Sequence, residues 1–143
     1  METDINTDYK FKIKEGKYFV KDFNNKYEIS IDKRIFNFVI RVIKYLKNIQ
    51  KSEINRVIIY QLTKSVTSTG ANYEEAQGGS SRKDFLAKIS ISHREAKETN
   101  YWLRIIKDSE IDNSGELNDL IQESLEIRNI LGSIVGKVRR SKK

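Results

Sequence analysis

Two hydrophobic periods divide the chain. Up to about Glu28 apolar and polar residues alternate: Tyr9, Phe11 and Ile13 are interleaved with Lys10, Lys12 and Lys14, and a Glu15-Gly16 turn signal separates them from Tyr18-Phe19-Val20. A period of two predicts a short β-hairpin. An isolated hairpin is marginal in water, so residues 1–28 are expected either as a hairpin held against the rest of the protein or as a disordered arm.

From Ile31 the period is helical. Ile35, Phe36, Phe38, Val39, Ile40, Val42, Ile43, Tyr45, Leu46 and Ile49 spread over roughly 220° of a helical wheel, about twice the ~100° stripe that one packed face needs. This helix has apolar surface to bury on two sides, and Lys33, Arg34, Arg41, Lys44 and Lys51 occupy the remaining arc. Ser52 is placed as N-cap of a second helix carrying Ile54, Ile58, Leu62 and Val66, which turns rich in small residues through Ser65, Ser68, Gly70, Ala71 and Ala76. Glycine inside a helix costs about 1 kcal/mol relative to alanine, so Gly70 predicts a close helix crossing, and Gly78-Gly79 a stop.

Ser81-Arg82-Lys83-Asp84 opens a third helix as a near capping box. One stripe of it, Phe85, Ile89, Ser92, Ala96, Thr99, Leu103 and Ile106, has small central members suited to a neighbour such as Gly70-Ala71. A second apolar cluster, Ile91, Trp102 and Ile105, faces nearly the opposite way. After a loop with Asn113 or Ser114 as cap, Leu117, Leu120, Ser124, Ile127, Leu131, Ile134 and Val138 form a seam of the kind that packs helices at about 20°. The expected fold class is all-α: an antiparallel up-down-up-down four-helix bundle over residues 29–138, with the N-terminal extension 1–28 and a basic tail 139–143.

Composition supports this and narrows the chemistry. The 143 residues contain no proline, whereas loop-rich β-folds place prolines at turns and helix interiors exclude them. Without cysteine there are no disulfides or thiolate sites, and a single histidine, His93, leaves no His-pair zinc site. With 38% hydrophobic residues the chain is too apolar for wholesale disorder, yet its longest apolar runs fall far short of the roughly 20 residues of a membrane span. The first 20 residues lack the apolar stretch of a signal peptide, so a soluble, cytoplasmic protein is expected.

The net charge of +7 is uneven: residues 29–51 carry six basic and one acidic residue, and residues 80–108 seven and four. Arg34, Arg41, Lys44 and Lys51 on the first helix and its exit, with Arg139, Arg140, Lys142 and Lys143 in the tail, are therefore candidate phosphate contacts. Contacts to the nucleic-acid backbone are expected, because no recognition helix or stacking motif of the common base-reading modules occurs. The bland reading of the same residues is a solvated face, with basic groups complementing a helix C-terminus.

Other candidates are weaker. Gly78-Gly79-Ser80-Ser81-Arg82-Lys83 has glycines before a helix but neither the phosphate-loop spacing nor a preceding strand, and reads as a turn with a cap. Glu74, Glu75, Glu95 and Glu98 invite a di-metal carboxylate reading, but His93 stands at the wrong interval from any Glu. Surface ion pairs such as Arg94 with Glu98 account for them better. No metal, cofactor or enzymatic activity is expected. His93 is assigned to a polar or interfacial helix face, and Tyr101 and Trp102 to core or interface.

Three ordered motifs, Ser68-Thr69-Gly70-Ala71-Asn72-Tyr73-Glu74-Glu75-Ala76, Ser81-Arg82-Lys83-Asp84-Phe85 and Glu95-Ala96-Lys97-Glu98-Thr99-Asn100-Tyr101-Trp102-Leu103, resemble the bacterial four-helix-bundle family encoded in intervening sequences of 23S ribosomal RNA genes. That family is in turn similar to the accessory variability determinant of diversity-generating retroelements. The likeness covers about Ile31 to Val138. It implies a bundle that assembles into a pentameric ring and, in the retroelement relatives, a basic surface that engages nucleic acid and a reverse transcriptase. Gly70, Ala71, Asn72, Glu75, Arg82, Asp84, Phe85, Glu98, Tyr101 and Trp102 match its pattern and are assigned to fold and assembly. Tyr73 and Ser92-His93 depart from it. The expected function is a homo-oligomeric scaffold that binds RNA or DNA; the alternative is a protein-interaction module whose charge meets an acidic partner.

Overall fold

The computed structural model describes residues 12–14, 17–21 and 27–141. Three short strands, β1 (Lys12–Lys14), β2 (Lys17–Lys21) and β3 (Glu28–Ser30), precede four helices, α1 (Ile31–Leu46), α2 (Glu53–Gln77), α3 (Arg82–Asp108) and α4 (Gly115–Arg140). Three helices start at the serines singled out by sequence. The Ser52, Ser81 and Ser114 hydroxyls accept the backbone N–H of Asn55, Asp84 and Leu117 at 3.0, 3.0 and 3.2 Å, each satisfying an amide that has no partner within its helix. The Asp84 carboxylate accepts the Ser80 hydroxyl at 2.8 Å. At the end of α3, Glu110 takes a left-handed conformation with φ of 64°. Its amide bonds Lys107 O and that of Ile111 bonds Ile106 O, a Schellman stop that turns the chain toward α4.

Side-chain pairs fix the antiparallel order. Arg34 meets Glu123 while Tyr45 meets Asp112; Ser92 bonds Thr69 while Thr99 bonds Ser65; Arg82 meets Val138 while Asn100 bonds Ser124. In each case one index rises as the other falls, so α1 runs against α4, α2 against α3 and α3 against α4. The core is a single cluster reaching from Val20 through Phe38, Leu62, Leu103 and Leu131 to Val138. A buried polar seam crosses it: Ser92 Oγ donates to Thr69 O at 2.7 Å, Thr99 Oγ1 to Ser65 Oγ at 3.0 Å and Asn100 Nδ2 to Ser124 Oγ at 2.8 Å.

The N-terminal strands complete one edge of the bundle. At 1.5 Å per residue the 16 residues of α1 span about 24 Å, whereas α2, α3 and α4, of 25, 27 and 26 residues, reach roughly 40 Å. The strands pack beside the start of the short helix. They form an antiparallel sheet of order β1-β2-β3, with Phe19 opposite Ser30 and Val20 opposite Ile29. Val20 is buried, Tyr18 stacks on Phe85 of α3 with ring centroids 6.3 Å apart, and Lys21 O accepts from Arg34 at 2.8 Å. Of the hairpin read from sequence, Ile13 pairs with Tyr18; Tyr9, Phe11 and the Glu15-Gly16 turn lie outside the described residues. The third strand, β3, was not anticipated, because three residues leading straight into a helix give no period to detect.

The close crossing predicted at Gly70 exists but involves another helix. A Cβ placed there would lie 3.2 Å from Val39 Cγ2 and 3.8 Å from Ile35 Cγ2, so the glycine admits α1 and not the small-residue stripe of α3. That stripe instead meets Ser65 and Thr69.

At the opposite end of α1 the Tyr45 hydroxyl donates to Asp112 Oδ2 at 2.6 Å, and Ser114 donates to the same oxygen at 2.7 Å. The Tyr45 bond first, then Ser114, holds the Asp112 carboxyl below the usual carboxylate range. Burial, followed by Asp112, pushes the tyrosine hydroxyl up. A depressed carboxylate stabilises the fold above its unfolded pKa, and that contribution is lost as pH falls through the folded value. Tyr45→Phe is expected to cost about 1 kcal/mol at neutral pH. In thermal melts taken from neutral pH toward pH ~3, the gap to wild type narrows as Asp112 protonates.

Candidate nucleic-acid interface

The first helix divides its basic residues between interior and surface. Arg34, placed by sequence among the exposed phosphate contacts, is only 5% exposed. Its Nε and Nη2 grip Glu123 at 2.8 and 2.6 Å, Nη2 also reaches Glu126 at 2.8 Å, and Nη1 donates to Lys21 O. Burial opposes the charge, but the bonds and charges of Glu123 and then Glu126 outweigh it and hold the guanidinium above its ordinary value. All three nitrogens of that fork donate to a fixed acceptor. Arg34 is therefore an internal tie between sheet, α1 and α4, and leaves the candidate interface.

Lys33, Lys44, Lys47 and Lys51 are exposed and Arg41 half-buried. Arg139 and Arg140 are exposed at the end of α4; Lys142 and Lys143 lie outside the described residues. These groups do not form one patch. The antiparallel order places Lys44, Lys47 and Lys51 where α1 ends, and Arg139 and Arg140 at the other end of the bundle. Lys83, which sequence left out, joins the second group, because its neighbour Arg82 donates to the Val138 carbonyl. The antiparallel order of α3 and α4 brings residues 83 and 139 to one end.

The motif residues mostly hold helix ends and crossings. Asn72 Nδ2 donates to Ser68 O at 2.9 Å, Glu75 pairs with Lys88 at 2.9 Å, and Arg82 caps α4 through Val138. Glu98 does not pair with Arg94; it accepts the Trp102 indole N–H at 3.1 Å. Tyr101 packs edge-on against Trp102 with centroids 5.1 Å apart, and Arg104 lies 5.9 Å from the Tyr101 ring centroid. His93 rests on Gly132 of α4, where a Cβ would come within 2.9 Å of Nε2. The amides of Gly78 and Gly79 bond Glu75 O and Ala76 O, so they close α2 and present nothing to an anion. Burial and then Glu98 raise the Glu95 carboxyl. Among the described residues no group of three or more His, Asp or Glu is placed to hold a metal, and no helix is long and apolar enough to cross a membrane.

Apolar surface remains outside the core. Phe36 is 60% exposed, and Ile40, Ile54, Val57, Tyr60 and Tyr101 are exposed with it. The second apolar side of α1 read from sequence is thus real and left uncovered by the rest of the chain's described residues. Beside Phe36 a groove of about 270 Å³ lies between α1 and α2, floored by Ile35, Val39, Gly70 and Tyr73 and rimmed by Asp32 and Glu74.

The family model of the 23S rRNA-intervening sequence protein matches residues 27–133. The chain belongs to this family. A solved relative, the crystal structure of a protein of unknown function from the S23 ribosomal protein family of Bacteroides thetaiotaomicron, superposes with a TM-score of 0.68 at 31% identity, covering 73% of this chain and 97% of that one. No curated protein matches the chain. The 23S rRNA-intervening sequence match begins at Tyr27, so β3 and the four helices carry the likeness while β1 and β2 lie outside it.

Proposed function

We propose that this member of the 23S rRNA-intervening sequence family is a non-enzymatic, self-assembling helical scaffold that holds RNA or DNA by its phosphates. The resemblance to retroelement accessory proteins adds a pentameric ring as the assembly and a reverse transcriptase as partner. The observation that carries the reading is the basic surface of α1 and its exit, where Lys33, Arg41, Lys44, Lys47 and Lys51 face a single acidic residue, Asp32, in residues 29–51. Repeated around an assembly, this surface presents several separated cationic patches to a polyanion, whose counterions are released on binding.

Light scattering at micromolar concentration, paired with gel-shift titrations against structured RNA, single strands and duplex DNA over a salt series, tests the proposal. An oligomer whose retention falls steeply with salt is expected. A monomer removes the scaffold. An oligomer that retains no nucleic acid at low salt favours the module that meets an acidic protein.

A further inference from the structure

The self-assembly invoked above leaves open which surfaces meet. Two apolar patches on α2 differ in shape and charge. Near its start Ile54, Val57 and Tyr60, exposed to 72, 58 and 65%, project from the first two turns. Beside them Arg56 is exposed and its side chain has no partner among the described residues, and Glu53 and Lys64 flank the same turns. Toward the end of α2 the groove against α1 is concave, lined by Phe36, Val39, Gly70 and Ala71, with Asp32 and Glu74 on its rim. Asp32 is engaged by Lys17 at 3.5 Å, whereas Glu74 is exposed and unpaired among the described residues. The groove's volume of about 270 Å³ is just below the range of small-molecule sites and suits one or two inserted side chains.

We propose that the ridge Ile54-Val57-Tyr60 of one copy seats in the α1–α2 groove of the next, with Arg56 facing Glu74. A second copy is the occupant because the chain carries both halves, complementary in form and, at Arg56 and Glu74, opposite in charge. An aromatic anchor entering a pocket, ringed by a desolvated charge pair, is the usual core of a protein interface. The halves lie apart along the helix, since the step from Val57 to Ala71 is about 21 Å at 1.5 Å per residue. The contact joins unlike patches, so it is head-to-tail and leaves one ridge and one groove open at the ends of any chain of copies. Closure to a ring satisfies both. This inference rests on the self-assembly proposed above and assigns its contact.

The test uses the full chain and two surface variants, Val57→Asp/Tyr60→Asp on the ridge and Ala71→Arg in the groove. All these side chains are exposed, and circular dichroism with thermal melts checks that each variant folds like wild type. Light scattering is expected to give an oligomer for wild type and a monomer for each variant. An equimolar mixture of the two variants is expected to give a twofold mass and nothing larger, because each retains one intact half. Arg56→Glu and Glu74→Arg, each weakening association alone, are expected to restore it when combined in one chain. Folded variants that assemble as wild type overturn the ridge-groove contact while leaving assembly intact, and variants that stay monomeric on mixing show that the patches do not face each other. A wild type that is itself monomeric overturns assembly and contact together and leaves ridge and groove to a different partner.

Discussion

Arg34→Met lowers the unfolding free energy by roughly 3–5 kcal/mol, the expected cost of leaving a buried carboxylate without its partner. Glu123 is 3% exposed and receives two of the guanidinium bonds, so the substitution leaves a buried carboxylate facing an apolar side chain. Arg34→Met/Glu123→Leu, with both charges replaced by apolar groups, should recover most of the loss. Thermal melts of the three proteins check this. Because β2 is tied to α1 through Lys21 O, hydrogen exchange at the strands should accelerate in the single variant more than exchange in α3. A loss below about 1 kcal/mol would mean that the charges are hydrated and the tie is worth no more than a surface pair.

Arg34 also marks where reading the sequence stops. The helices are legible because their causes are local: an N-cap serine and apolar positions three and four residues apart act within a few turns, and Ser52, Ser81 and Ser114 cap α2, α3 and α4 in the structure. The fate of Arg34 depends on Glu123 and Glu126, 89 and 92 residues away. On the wheel it borders the buried arc among basic neighbours, which is how a solvated arginine looks too. Gly70 is similar: its cost within a helix announced a close neighbour, but which helix approaches is a matter of bundle geometry. The excess apolar arc of α1 was legible, since twice the area of one face cannot be buried by one neighbour pair, and Phe36 bears the difference. The division of the cationic residues between two ends follows from the up-down-up-down order itself, in which α1 and α4 finish at opposite ends, and Arg82 against Val138 bears it out; grouping those residues as one set of phosphate contacts overlooked it.

That division makes the two basic groups separable by experiment. The quadruple variant Arg139→Ser/Arg140→Ser/Lys142→Ser/Lys143→Ser removes four charges from the C-terminal segment, of which Arg139 and Arg140 lie at the end of α4, and Lys44→Ser/Lys47→Ser/Lys51→Ser removes three from the other end of the bundle. Each neutralised phosphate contributes about 0.9 to the slope of log affinity against log salt on duplex and about 0.7 on single strands. The tail variant is therefore expected to lower the slope by roughly 3–4 units, with more than a tenfold loss of retention at moderate salt, and the α1 variant by roughly 2–3. Arg139 and Arg140 are exposed, so the fold loses only a few tenths of a kcal/mol of helix-end electrostatics. The geometry adds a sharper expectation. A short duplex that reaches one end of the bundle responds to one variant alone, whereas a long RNA that spans both ends responds to each, and their slope changes add because Arg139 and Arg140 are far from Lys44, Lys47 and Lys51. Slopes unchanged in both variants would place the phosphate contacts elsewhere and return these residues to a solvated surface. A change in one variant alone, with long RNA as well as short duplex, would assign binding to that end of the bundle.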